Sequence, residues 1–141
     1  KRKKIMKSQL ELCYQISEEA HKGQTRKYSD EPYIIHPKRV AEMLENHSLK
    51  CIAFLHDVIE DTPETIISLK EKGVDDFIVN GVEILTKPKN LEYDAYIYTI
   101  SLHKHLSKIK VADMMDNLCS TPSDRQKIKY RRAMSFLLNE I

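Results

Sequence analysis

The sequence predicts an all-α fold, a single helical bundle of about seven helices spanning residues 1–141. Two patterns and one kind of punctuation predict it. Apolar residues recur three and four apart through almost the whole chain, and no segment alternates as a half-buried strand would. Gly (3) and Pro (5) are scarce, and Gly23 and Gly73 stand where helices are expected to stop. A length of 141 residues suits one domain with a core of its own.

Ile5, Leu12, Ile16 and Ala20 lead a first helix that stops near Gly23. The polar stretch "GQTRKYSDEPYIIHP" lacks helical periodicity and reads as a loop. Pro37 fits the first turn of a second helix marked by Val40, Met43 and Leu44. "LKCIAFLHDVIED" predicts a third, the most buried. Thr62-Pro63-Glu64 is a start signal, with Thr62 as N-cap and Pro63 as first helical residue, for a helix running through Ile66, Ile67 and Leu69 to a stop at Gly73. Asp75 can cap "DFIVNGVEILTK". After the turn "KPKN", helices follow in "YDAYIYTISLH" and "LSKIKVADMMDNLC". "TPSD" repeats the cap-and-proline start before the amphipathic "RQKIKYRRAMSFLLNEI".

Composition excludes several functions. Lys plus Arg exceed Asp plus Glu by only 23 to 21, a net +2 that argues against a nucleic-acid partner. No apolar run reaches the ~18–20 residues of a membrane span. The basic start "KRKKIMK" lacks a following apolar region and reads as a solvated end rather than a targeting signal. Cys13, Cys51 and Cys119 are odd in number and form no C-x-x-C pair, as expected of free thiols in a reducing cytoplasm. The sequence carries no signal for an oligomeric state.

"FLHDVIEDT", residues 54–62, sets His56, Asp57, Glu60 and Asp61 in an otherwise apolar segment. Buried charges are paired or bound to a cation, because an unpaired one costs several kcal/mol. On a continuous helix, residues four apart share a face, pairing His56 with Glu60 and Asp57 with Asp61. Imidazole and carboxylate together suit Mn²⁺, Fe²⁺ or Zn²⁺. Two ligands rarely hold a catalytic metal, and His36 after "YII" and Asp113 within "VADMM" show the same anomaly. Glu60 would then be placed to orient or deprotonate a water.

In that order, His36, His56-Asp57 and Asp113 resemble the H…HD…D signature of the HD-domain phosphohydrolases. Three blocks, "HKGQTRKYSDEPYIIHP", "LHDVIEDT" and "KVADMMDN", resemble the RelA/SpoT-type hydrolases and their small stand-alone relatives, from about His21 to Asn117. Those enzymes remove pyrophosphate from the 3′ position of ppGpp. The resemblance implies an HD-domain bundle in which His36, His56, Asp57 and Asp113 bind one Mn²⁺. It implies that Glu60 and Asp61 form the catalytic pair, that Arg26 and Lys27 contact the nucleotide, and that Asn117 belongs to its pocket. The expected activity is hydrolysis of ppGpp or pppGpp, without a synthetase half. Two rival readings keep the fold: hydrolysis of another nucleotide phosphate, such as NADPH or a nucleoside monophosphate, or a non-catalytic domain that binds a nucleotide or a partner protein.

The chain departs from the family pattern twice. "RKYSDEPY" is one residue longer than R-K-S-G-E-P-Y, and Asp116 stands where these hydrolases carry His or Tyr. A further carboxylate beside a polyphosphate site disfavours the substrate unless it is paired or turned away. Blander roles are expected elsewhere: His21 as a helix-end residue, His103 and His105 on the surface, Tyr93, Tyr96 and Ile97 in packing, and "KIKYRRA" as a solvated face.

Overall fold

Residues 8–27, 29–120 and 122–140 are described by the structure, a computed structural model. Among them the chain forms nine helices: α1 (Gln9–Ala20), α2 (Ile35–Glu42), α3 (His47–Leu55), α4 (Val58–Asp61), α5 (Ile66–Glu71), α6 (Asp76–Leu85), α7 (Tyr93–Ser101), α8 (Lys104–Leu118) and α9 (Asp124–Glu140). The described residues include no strand, only an isolated antiparallel bridge between Thr25 and Pro32. The all-α expectation is met. The stretch expected around Ile5 lies outside the described residues.

The helix count exceeds seven partly because the expected third helix is two. α3 ends at Leu55, His56 and Asp57 form a turn, and α4 follows for a single turn. The cause is local. The Ala53 carbonyl accepts from the Nδ1–H of His56 at 2.6 Å and from its backbone N–H at 3.4 Å, so the side chain competes with the helical ladder. The two Thr-Pro start signals are also displaced. Thr62 closes α4, its hydroxyl donating to the Val58 carbonyl. Thr65 is the cap of α5, in a reciprocal capping box with Ser68. Thr121 lies outside the described residues; Ser123 accepts from the Gln126 N–H one residue before α9 begins. Asp75 precedes α6 as expected, but its side chain makes no capping bond; its backbone N–H donates to Gln9 Oε1.

Two stops are where the glycines predict them: Gly23 and Gly73 take φ of 84° and 94° beyond α1 and α5. α3 lies at the centre, packed by α1, α2, α6 and α8. Ile52 and Leu55 of α3, Val58, Ile100 and Ile109 are fully buried there. A Cβ at Gly81 would sit 2.6 Å from Ile52 Cδ1, so this glycine sets how closely α6 approaches α3. The loop between α1 and α2 folds back on itself through Arg26 N–H to Glu31 O (2.9 Å) and Tyr33 N–H to Gln24 O (2.9 Å). This fold-back carries Arg26 and Tyr33 toward the first turn of α2.

Candidate metal centre

Three elements distant in sequence meet beside the centre of the bundle. The first turn of α2 presents His36, the turn closing α3 presents His56 and Asp57, and α8 presents Asp113. One ligand atom from each of the four lies within 4.8 Å of the others. His36 Nε2 is 2.8 Å from Asp113 Oδ1 and 3.7 Å from Asp57 Oδ2. His56 Nε2 is 3.2 Å from the same Asp113 oxygen and 3.0 Å from Asp57 Oδ2.

Both imidazoles are oriented from behind. A carbonyl can only accept, so the contact with Ala53 places a proton on His56 Nδ1 and turns Nε2 to the cluster. His36 Nδ1 faces Asp116 Oδ2 at 2.7 Å, leaving its Nε2 likewise. Tyr33 Oη donates a hydrogen bond to Asp57 Oδ2. Asp113 accepts from Lys110 Nζ at 2.9 Å and from Asn117 Nδ2 at 3.3 Å.

The electrostatics fit a cation. Burial opposes charge on all four groups, yet specific neighbours overcome it. The His56 charge and hydrogen bond hold Asp57 below the usual carboxylate range. Lys110 and His56 hold Asp113 well below it. Against the same burial, Asp113 and Asp116 raise His36, while Asp57 and Asp113 raise His56 well above its ordinary value. Two carboxylates facing two imidazoles form a donor set of net −2 when the histidines are neutral, which matches one divalent ion. The residues present fit such an ion.

A cavity of about 980 Å³ opens from this cluster. Its basic lining, Arg26, Lys27, Lys87, Lys89, Lys110 and Lys129, outnumbers the acids Asp57, Glu60, Asp61 and Asp113. Lys129 stands over the Tyr93 ring at 4.1 Å, and burial together with the Lys110 and Lys87 charges lowers its pKa. A smaller recess is lined by His56, Asp57, Glu60, Lys110 and Asp113.

His36, Asp57, Asp113, Glu60, Asp61, Arg26, Lys27 and Asn117 line the cavity and His56 lines the smaller recess, though not always in the expected way. Glu60 and Asp61 are exposed at its edge. The break at residues 56–57 removes the continuous helix on which their pairing with His56 and Asp57 was reasoned. Glu60 Oε1 instead accepts from the Lys87 backbone N–H at 2.6 Å. Asp61 has its pKa raised to about 6, by partial burial first and then by the charges of Asp57 and Glu60. Arg26 lines the cavity but is only 6% exposed, bonded to Ser120 Oγ at 2.9 Å and 3.4 Å from Asp116. Lys27 is exposed at the rim. Asp116 is paired and does not line the cavity: Arg39 Nε donates to Oδ1 at 2.8 Å. His21 closes α1 but is buried, with Nδ1 2.9 Å from Gln24 Oε1. His103 and His105 are exposed, Tyr96 and Ile97 are buried, and Arg132 pairs with Asp94 at the surface.

Sequence reasoning missed Tyr33 and the cavity-facing side of Lys110. A tyrosine next to two isoleucines reads as packing, and a lysine three residues before Asp113 reads as its surface partner. Only the fold shows both reaching the cluster.

No helix among the described residues is long and apolar enough to cross a membrane. Over 87 residues, 57% of this chain, the sequence is 44% identical to the bifunctional (p)ppGpp synthase/hydrolase SpoT of Escherichia coli K12. Over 122 residues, 78% of this chain, it is 30% identical to a guanosine-3′,5′-bis(diphosphate) 3′-pyrophosphohydrolase of Aquifex aeolicus. These matches span only 12% and 17% of the two relatives' own lengths. The fold is shared with a solved structure reported as "A metazoan ortholog of SpoT hydrolyzes ppGpp and plays a role in starvation responses". It has a TM-score of 0.77 and 22% identity, over 98% of this chain and 88% of that one. The HD domain pattern matches residues 33–136, from just before the first histidine of the cluster to well beyond its last aspartate. The chain belongs to the HD domain family.

Proposed function

We propose that this chain is a cytoplasmic, Mn²⁺-dependent phosphohydrolase that removes pyrophosphate from the 3′ position of ppGpp or pppGpp. The observation that carries the reading is the convergence of His36, His56, Asp57 and Asp113 from three elements beside a cation-lined cavity. The similarity to SpoT and to the Aquifex hydrolase supports the nucleotide and the bond.

In this reading His36, His56, Asp57 and Asp113 would hold the metal. The bound ion supplies Lewis acidity, polarising a phosphoryl oxygen and making water more acidic. Glu60, fixed by the Lys87 N–H, takes the proton of the attacking water. Water adds at the phosphorus bonded to O3′, the P–O3′ bond breaks, and O3′ leaves with a proton. Asp61 suits that delivery, since partial burial favours the protonated form of its carboxyl. Lys110 and Lys129 offset phosphate charge, Arg26 and Lys27 border the nucleotide, and Asn117 steadies Asp113. The sum is ppGpp plus water giving GDP and pyrophosphate.

Purified protein with Mn²⁺ and ppGpp, followed by nucleotide chromatography, tests this. GDP and pyrophosphate are expected from wild type and neither from Asp57→Ala. Glu60→Gln keeps an acceptor for the Lys87 N–H yet cannot take a proton, and loses about 10²–10⁴-fold in kcat. Folded, Mn²⁺-bound wild type that leaves both ppGpp and pppGpp intact rejects the substrate assignment.

A further inference from the structure

Among the described residues, Asp116 is the one buried carboxylate at the centre that no expected role explains. Its side chain is 5% exposed, and its two oxygens are spoken for by different partners. Oδ2 lies 2.7 Å from His36 Nδ1, with the Arg26 guanidinium 3.4 Å away. Oδ1 accepts from Arg39 Nε at 2.8 Å, and Arg39 in turn holds Glu31 at 2.7 Å. One carboxylate thus ties α8, the first turn of α2 and the preceding loop to the back of His36.

We propose that Asp116 is a positioning residue for the metal: it fixes the proton of His36 on Nδ1, so that Nε2 faces the cluster, while Arg39 and Arg26 keep its own charge away from the cavity. The inference rests on the reading of His36, His56, Asp57 and Asp113 as a metal site. An imidazole has two nitrogens, and a carboxylate on one of them decides which is left to bind a cation. Aspartate at this position does so by accepting. Asp116→Asn breaks the arrangement with little change in volume. An amide has one accepting oxygen, so meeting His36 turns N–H₂ on Arg39, and meeting Arg39 turns it on His36.

The test measures Mn²⁺ binding by calorimetry on the whole chain, without any nucleotide. Asp116→Asn is expected to bind Mn²⁺ about 10–100-fold more weakly than wild type. Glu31→Gln, which leaves the Asp116–His36 contact in place, is expected to match wild type within about twofold. Equal affinity in wild type and Asp116→Asn overturns the inference but leaves the metal site standing, as does a loss in Glu31→Gln as large as in Asp116→Asn. Wild type that binds no Mn²⁺ overturns the metal reading and this inference together. If Asp116→Asn does not fold, wild type alone decides the matter. Imidazole ¹⁵N spectra of the Zn²⁺-loaded protein should show His36 with its proton on Nδ1 and the metal on Nε2. The reverse assignment rejects the role of Asp116.

Discussion

Lys110 is a cation set beside a proposed cation site, and the conflict has consequences. Burial disfavours its charge, but Asp113 at 2.9 Å outweighs this and holds the ammonium firmly protonated. Its positive charge competes with a metal for Asp113 while favouring an incoming phosphate. Lys110→Met should therefore bind Mn²⁺ at least as tightly as wild type, yet lose roughly 10²–10³-fold in kcat through missing phosphate stabilisation. Calorimetry beside steady-state kinetics checks the pair, and a parallel loss of both quantities contradicts the assigned role. Asp61 makes the complementary case for a proton. Its raised pKa means that the folded state binds more protons than the unfolded one between the ordinary 3.8 and about 6, so its contribution to stability falls as pH rises across that window. In metal-free protein, Asp61→Asn should gain stability on wild type progressively from pH 4 to 6 and hold that gain above. Urea titrations at several pH values measure it, and a pH-independent difference excludes the shift.

At the scale of the element, what the sequence hides is hydrogen-bond competition. "LKCIAFLHDVIED" carries neither Gly nor Pro, so periodicity extends a single helix through it. The chain breaks instead where the His56 side chain reaches the Ala53 carbonyl. Periodicity counts apolar faces and does not register a side chain competing for one carbonyl. The Thr-Pro pairs mislead for a related reason. Several hydroxyls near a proline can each serve as a cap, and Thr62 is already committed to the end of α4. Thr65→Ala should cost about 1 kcal/mol by denaturant unfolding, because it removes one half of the capping box on α5. Glycine stops were legible because positive φ leaves few other candidates, as Gly23 and Gly73 show.

Across the whole molecule, the residues of the centre were legible and their arrangement was not. His36, His56, Asp57 and Asp113 stand out because ionisable groups in apolar surroundings need a reason, and that logic survives without knowing the fold. Tyr33, Lys110 and the Asp116–Arg39–Glu31 chain come together only once α2 and α8 pack side by side. That convergence also links metal, protons and folding. His36 and His56 have folded pKa values above the ordinary 6.5, so protons stabilise the metal-free protein below that pH and cease to do so as pH rises through the folded values. Asp57 and Asp113 are shifted downward, so their contribution is lost only in acid, below the ordinary 3.8. A divalent ion occupying the cluster must displace the histidine protons, which makes its binding weaker in acid and stronger in base. At a free Mn²⁺ concentration 100 times its dissociation constant, linkage contributes about 2.7 kcal/mol. For a chain of this size that is roughly 5–10 °C in Tm. Thermal melts at fixed Mn²⁺ should show an increment of this order at pH 8, shrinking toward zero by pH 5.5. Asp113→Ala should show no increment at either pH. An increment that is the same in acid and base would mean that Mn²⁺ binds somewhere other than on these two imidazoles.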